Sequence, residues 1–282
     1  MLKWVSAHPL RGYGLCVALI CLIGSMAWAG ETPHTERDWY PYLSRTAQVE
    51  NGATRFSVTP VSDWSYAPEG PTAETYTEAA FDFADLKNVW FVLEPQPGST
   101  LAAHTFLLFE FTDDRLIGLT IEARRERYEE YSAIRGAFNA FELSYLWASA
   151  RDLLTRRVVM LQHDVYIYPL ALSEAQKQIL LRRLLERTHD LETRPRFYNT
   201  LFSNCTNELA KATELEWSPA FILTGTSDDH LFDLGVIPGK RAGEDFATAE
   251  SAARFTIFVQ ELNAAPAAEF DARLLQRLRS AR

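Results

Sequence analysis

The chain has 282 residues, 47% hydrophobic and 23% charged, with 13 glycines and 13 prolines. Those fractions exclude a disordered chain, a collagen-like repeat and a disulfide-dense miniprotein. Net charge is −9, and beyond residue 29 there are 26 basic residues against 37 acidic ones. So acidic a body repels phosphate backbones and anionic lipid surfaces, which argues against a nucleic-acid partner.

Lys3 and Arg11 precede an apolar run from Gly12 to Met26, and Ala27-Trp28-Ala29 follows it. A basic start, an apolar middle and an A-x-A site predict a secretory signal peptide over residues 1–29. The run is about 15 residues, short of the ~20 that span a bilayer. No later stretch reaches spanning length. The mature chain is therefore expected in an exported compartment, most simply a bacterial periplasm. Cleavage removes Cys16 and Cys21 and leaves Cys205 as the sole cysteine. An unpaired thiol in an exported protein is either buried and inert or kept for its reactivity.

Residues 30–85 carry Trp39, Tyr40, Tyr42, Trp64 and Tyr66 among Pro, Ser and Thr, and read as a packed N-terminal extension with few long elements. Strands are predicted over Asn88 to Leu93, Ala102 to Phe111 and Leu116 to Arg124, the last two joined by Asp113-Asp114. Helical pieces are predicted between Tyr131 and Trp147, and a further strand over Val158 to Leu170. Ser173, with Gln176 three residues on, forms a capping box and opens a helix whose apolar face is Leu180, Leu181, Leu184, Leu185 and Leu191. A second helix is predicted from about Asn204 to Leu215, followed by a loop-like stretch through the 220s and 230s. Phe246 to Leu262 and Glu269 to Leu278 read as helical. The predicted fold class is α+β, an antiparallel sheet packed on helices. The expected division is a core over 86–245 with C-terminal helices over 246–282.

Candidate chemistry centres on the stretch Asn199-Thr200-Leu201-Phe202-Ser203-Asn204-Cys205-Thr206-Asn207-Glu208. Ser203 or Asn204 is a good N-cap, which places Cys205 in the first turn of a helix. There the unpaired N–H groups and the positive dipole end stabilise a thiolate and can donate to an oxyanion. The alternative is a small apolar residue near a helix cap. A thiol nucleophile needs an imidazole. His189 reads as solvated late in a helix, His163 as an exposed turn between Gln162 and Asp164, and His230 as a surface loop residue. His104 differs, because it opens an apolar strand. It is either a satisfied core residue or a general base.

The third member of such a site orients the imidazole. Glu122 on the next strand is the candidate, and whether it shares a face with His104 depends on the hairpin loop. An even loop sets His104 opposite Ala123 and turns Glu122 away. An odd loop brings Glu122 to the His104 face, opposite Phe106. The competing role for Glu122 is partner to Arg124 or Arg125.

Four ordered stretches resemble a known family: His104-Thr105-Phe106-Leu107-Leu108-Phe109, Ile121-Glu122-Ala123-Arg124-Arg125-Glu126, Tyr131-Ser132-Ala133-Ile134-Arg135-Gly136 and Tyr198 to Thr206. They are similar to the N-terminal periplasmic domain of Lnb-type lipoprotein N-acyltransferases, which is related to circularly permuted papain-like NlpC/P60 cysteine enzymes. The resemblance covers roughly residues 85–240 and implies a permuted papain-like fold. It also implies a nucleophile at Cys205, a base at His104 and an orienting acid at Glu122. Asn204 and Thr206 would shape the site or its oxyanion pocket, and Arg124 and Arg125 would contact substrate. The implied chemistry is thiolate attack on an acyl carbon, a thioester, then release to an amine or to water. No metal or other cofactor is called for. A membrane protein or lipoprotein of the cell envelope is the expected partner. A peptidoglycan peptide is the rival substrate, and a non-catalytic envelope binding module on the same fold is the rival class.

Overall fold

The structure, a computed structural model, describes residues 32–213, 215–239 and 243–280. The predicted signal sequence lies outside them. Eleven strands are present among the described residues: β1 (Gln48–Asn51), β2 (Arg55–Ser62), β3 (Ser65–Ala67), β4 (Gly70–Ala73), β5 (Tyr76–Asp82), β6 (Leu86–Pro95), β7 (Ala103–Phe111), β8 (Leu116–Arg124), β9 (Phe141–Ser149), β10 (Tyr166–Pro169) and β11 (Phe197–Tyr198). The helices are α1 (Ala133–Ala137), α2 (Ala150–Thr155), α3 (Glu174–Thr193), α4 (Cys205–Thr213), α5 (Ser227–Asp233), α6 (Phe246–Ala253), α7 (Thr256–Leu262) and α8 (Ala267–Ser280). The fold is α+β.

Nine strands form one sheet in the order β1-β2-β9-β8-β7-β6-β10, with β5 also on β2 and β11 on β9. It is antiparallel except where β2 meets β9 in parallel at Ser62 and Ala148, so the sheet is mixed. Both faces are covered. Leu107, Phe109, Leu119 and Trp147 pack with Leu181, Leu184 and Leu209 of α3 and α4. Trp90, Phe106 and Leu108 pack on the other face with Leu153, Val259 and Leu274 of α2, α7 and α8. Burial on two faces is why β6 to β9 read as near-continuous apolar runs rather than alternating ones. The capping box at Ser173 and Gln176 opens α3 as expected.

Several expectations need correction. Residues 30–85 are not irregular but supply five strands, and β2 and β5 belong to the main sheet. The largely exposed patterns of β4 and β5 give no apolar alternation to read. Between Tyr131 and Trp147 only α1 is helical. Phe141–Ser149 is a central strand, doubly buried and so without a period of two. The strand expected over Val158 to Leu170 shrinks to β10, because Arg156–Met160 forms a π-helical turn. α5 occupies part of the expected loop, and Phe246 to Leu262 is two helices broken where Phe255 N–H donates to Val165 O at 3.0 Å.

One buried carboxylate adds to the sheet pairing that ties these N-terminal strands to the rest of the fold. Asp152 in the first turn of α2 is buried and accepts from Ser62 Oγ (2.5 Å), Trp64 N–H (2.9 Å) and Tyr66 O–H (2.9 Å). Burial pushes its carboxyl pKa up against those hydrogen bonds. Asp152→Ala leaves three buried donors unpaired. It is expected to cost about 3 kcal/mol of stability, measured by urea unfolding.

Candidate active site

The β7–β8 hairpin closes on three residues, 112–114, since Phe111 N–H donates to Arg115 O at 3.0 Å just before β8 and Phe106 lies opposite Thr120. The loop is odd, and it fits because Asp114 adopts a positive φ of 62°. Continued by two residues, this register puts Glu122 opposite His104, not opposite Phe106 as the sequence had suggested. On the other side of β7, Glu94 of β6 is the partner of His104. Three neighbouring strands therefore carry Glu94, His104 and Glu122 in one row.

The imidazole is oriented by β8. His104 Nε2 lies 2.6 Å from Thr120 Oγ1 and 3.2 Å from Glu122 Oε1, and the Thr120 hydroxyl donates to the same Glu122 oxygen at 2.9 Å. A hydroxyl that donates to a carboxylate has only a lone pair left for the ring, so Nε2 carries a proton. Nδ1 is the nitrogen free to serve the thiol.

Cys205 starts α4. Asn204 is its N-cap, with Oδ1 accepting from Asn207 N–H at 2.8 Å while Nδ2 donates to Thr200 O and Phe221 O, both at 2.8 Å. Thr206 Oγ1 meets Thr105 Oγ1 at 2.8 Å and lies 3.8 Å from Cys205 Sγ. This pins the first turn of the helix to the start of β7. Below the same helix, buried Glu208 accepts from Ser203 Oγ (2.7 Å), Tyr145 O–H (2.7 Å) and Lys211 Nζ (2.8 Å). Despite burial, those donors hold its carboxyl at about 2.

Burial works against charge on Cys205 and His104, but each favours the ionised form of the other. Burial pushes the Cys205 thiol up. His104 and hydrogen bonds from Thr105 outweigh that and leave it lowered. Burial pushes the imidazole down, yet Glu122 and Cys205 raise it to about 10. Burial likewise opposes ionised Glu122, and His104 with Arg157 and Arg156 brings it well below the usual carboxylate range. The pair is thereby tuned toward a thiolate beside an imidazolium.

These groups line a cleft of about 390 Å3. Its walls join loops from distant parts of the chain, and glycines allow the contacts. A Cβ on Gly136 would meet Thr200 Oγ1 at 2.5 Å, and one on Gly225 would meet Thr100 O at 2.5 Å. Arg125 lines the cleft, whereas Arg124 does not. The Arg124 guanidinium donates to Leu43 O (2.9 Å) and Ser44 O (2.8 Å) and stacks on Trp39 at 4.3 Å, so it anchors the N-terminal extension. Neither arginine pairs with Glu122. That role falls to Arg157, whose Nη2 is 3.1 Å from Glu122 Oε1 and whose Nε is 3.1 Å from Glu94 Oε2. Sequence reasoning missed Arg157, because it sits just before the strand expected from Val158, in a π-helical turn that nothing in the sequence signals. It also missed Glu94 and placed His163 in an exposed turn, although His163 is mostly buried and lines the cleft.

A family model, the Lnb N-terminal periplasmic domain, matches residues 72–235, more than half of the chain. The protein belongs to the Lnb N-terminal periplasmic domain family. No curated protein and no solved structure matches it significantly. Membership places this Lnb-type domain in the periplasm. No helix among the described residues is long and apolar enough to cross a membrane. The matched segment begins before β5 and ends after α5, so it contains every residue of the Cys205 cleft and part of the extension.

Proposed function

We propose that this Lnb-type domain is a periplasmic cysteine acyl-transfer enzyme. It would act through a thioester on an acyl group linked to a lipid, a lipoprotein or a peptide. The observation that supports this is one cleft lined by Cys205, at the N-terminus of α4, and by His104, whose Nε2 lies 3.2 Å from Glu122 Oε1. A cysteine buried for packing alone has no need of an imidazole whose far nitrogen is held by a carboxylate.

In the first step the Cys205 thiolate attacks the acyl carbon, and first-turn N–H groups of α4 hold the oxyanion. The bond to the leaving alcohol or amine breaks as His104 gives that group its proton. The thioester then meets an amine or water. A new C–N or C–O bond forms as the nucleophile gives up a proton to the cleft, the C–S bond breaks, and His104 regains the proton it lost, so that the thiolate is again beside an imidazolium. Asn204 and Thr206 keep the helix start in register, and Glu122 stabilises the imidazolium.

The test is intact-protein mass spectrometry after incubation with p-nitrophenyl acetate and, separately, with an envelope extract. An acyl adduct on Cys205, absent in Cys205→Ala, is the expected result. A parent that reacts no more than Cys205→Ala identifies a binding module instead.

A further inference from the structure

The cleft holds a second imidazole–carboxylate pair that the reading above does not use. His163 Nδ1 lies 2.5 Å from Glu94 Oε1, and the other oxygen of Glu94 takes Arg157 Nε at 3.1 Å. Glu94 is 3% exposed and His163 lines the cleft with Cys205 and His104. A ring whose Nδ1 donates to a carboxylate carries its lone pair on Nε2. Among the described residues, no protein group partners that nitrogen. Two such pairs thus share one cleft, His104–Glu122 and His163–Glu94, and the single guanidinium of Arg157 binds a carboxylate of each.

The backbone that delivers His163 is unusual. Arg156–Met160 is a π-helical turn, Gln162 follows at a φ of 57°, and His163 N–H returns to Arg157 O at 2.9 Å. π-Turns and left-handed non-glycine residues persist where the surroundings fix them, and they concentrate at functional sites. Here the pair of them brings His163 back onto the residue that bridges both carboxylates.

We propose that His163, held by Glu94, is a second general base of the cleft. It binds the acyl acceptor, a primary amine or a hydroxyl, and takes its proton during attack on the Cys205 thioester. For an amine the C–N bond forms and the C–S bond breaks. One amine proton passes to His163 Nε2, the thiolate leaves beside His104, and exchange with water takes the proton from His163 and restores the one His104 gave to the first leaving group. The nascent thiolate is then the partner of His104, and the incoming nucleophile is the partner of His163. The inference rests on the thioester reading.

Stopped-flow hydrolysis of p-nitrophenyl acetate by the full chain, with glycinamide as acceptor, separates the two halves. The nitrophenolate burst reports acylation of Cys205, and steady turnover reports transfer. For His163→Gln the burst rate is expected within about twofold of the parent. Turnover should fall about tenfold or more, as for loss of a general base, while acetyl-Cys205 accumulates. His163→Asn, a second variant that removes the base, is expected to behave alike and serves if His163→Gln does not fold. Burst and turnover that are both unchanged, or that fall in parallel, overturn the role of His163 and leave the thioester reading standing. A parent with neither a burst nor acetyl-Cys205 overturns that reading, and this inference with it.

Discussion

His104→Ala is expected to slow alkylation of Cys205 by iodoacetamide at pH 7 by about tenfold or more and to move the pH profile of the thiol to the alkaline side. The parent thiol is lowered although burial acts to raise it. Removing the ring deletes the largest opposing influence and leaves burial. The Thr105 hydrogen bonds and the N-terminus of α4 remain as compensation. A free thiol of pKa about 8.5 is about 3% ionised at pH 7, and the variant should fall to that level or below. For the parent the sign is opposite. Its thiolate fraction rises through a pKa below that of a free thiol, and the imidazolium survives until the pH nears about 10. Alkylation of the parent therefore changes less between pH 6.5 and 8.5 than that of His104→Ala. Glu122→Gln should lie between them, since the amide still holds Nε2 but no longer stabilises its charge. A His104→Ala profile that overlays the parent would show that the thiol is tuned by the helix alone. Cys205 would then need another base.

What the sequence disclosed and what it hid divide along a physical line. Local signals were legible. The capping box at Ser173, the N-cap at Asn204 and the cysteine just after it depend on neighbours in the chain, and the structure has them where the residues placed them. The β7–β8 hairpin was half legible. The sequence posed the question of loop parity but lacked the answer, which lies in the positive φ of Asp114. The charged layer beneath the cleft was not legible. Glu94, Arg157 and His163 are separated by up to 69 positions, and each alone resembles a surface residue. They meet only because β6 lies beside β7 and a π-helical turn interrupts what propensity reads as a strand. Arg124 failed for a related reason. It shares a short basic run with Arg125, yet the two point to different surroundings.

Arg157 carries a large stability consequence. Its guanidinium is almost wholly buried, donates to Leu153 O at 3.2 Å and lies over Phe106 at 4.7 Å, besides bridging Glu94 and Glu122. Arg157→Met keeps a stem of similar length over Phe106 but takes the guanidinium from buried Glu94 and part-buried Glu122, which keep only their histidine and hydroxyl partners. The expected cost is about 3–5 kcal/mol, the range for removing one partner of a buried ion pair. Arg157→Lys should fall between, because an ammonium cannot fork to two carboxylates as the guanidinium does. The loss should also depend on pH. In the parent, both carboxyls are held below their ordinary values. Their contribution is present above the unfolded carboxyl range and is lost as the pH falls through the lowered values of the folded state. In Arg157→Met the cation's pull is gone and both carboxyls move up, so the variant gains relative stability as they are protonated. The gap between parent and variant is therefore expected to be widest near pH 7.5 and to narrow toward pH 5 in urea unfolding. Adding Glu94→Gln to Arg157→Met removes one of the two charges and should recover part of the loss at pH 7.5. If the gap stays constant with pH and the second substitution recovers nothing, the arginine contributes through packing on Phe106. The row of Glu94, His104 and Glu122 would then be held by the strands alone.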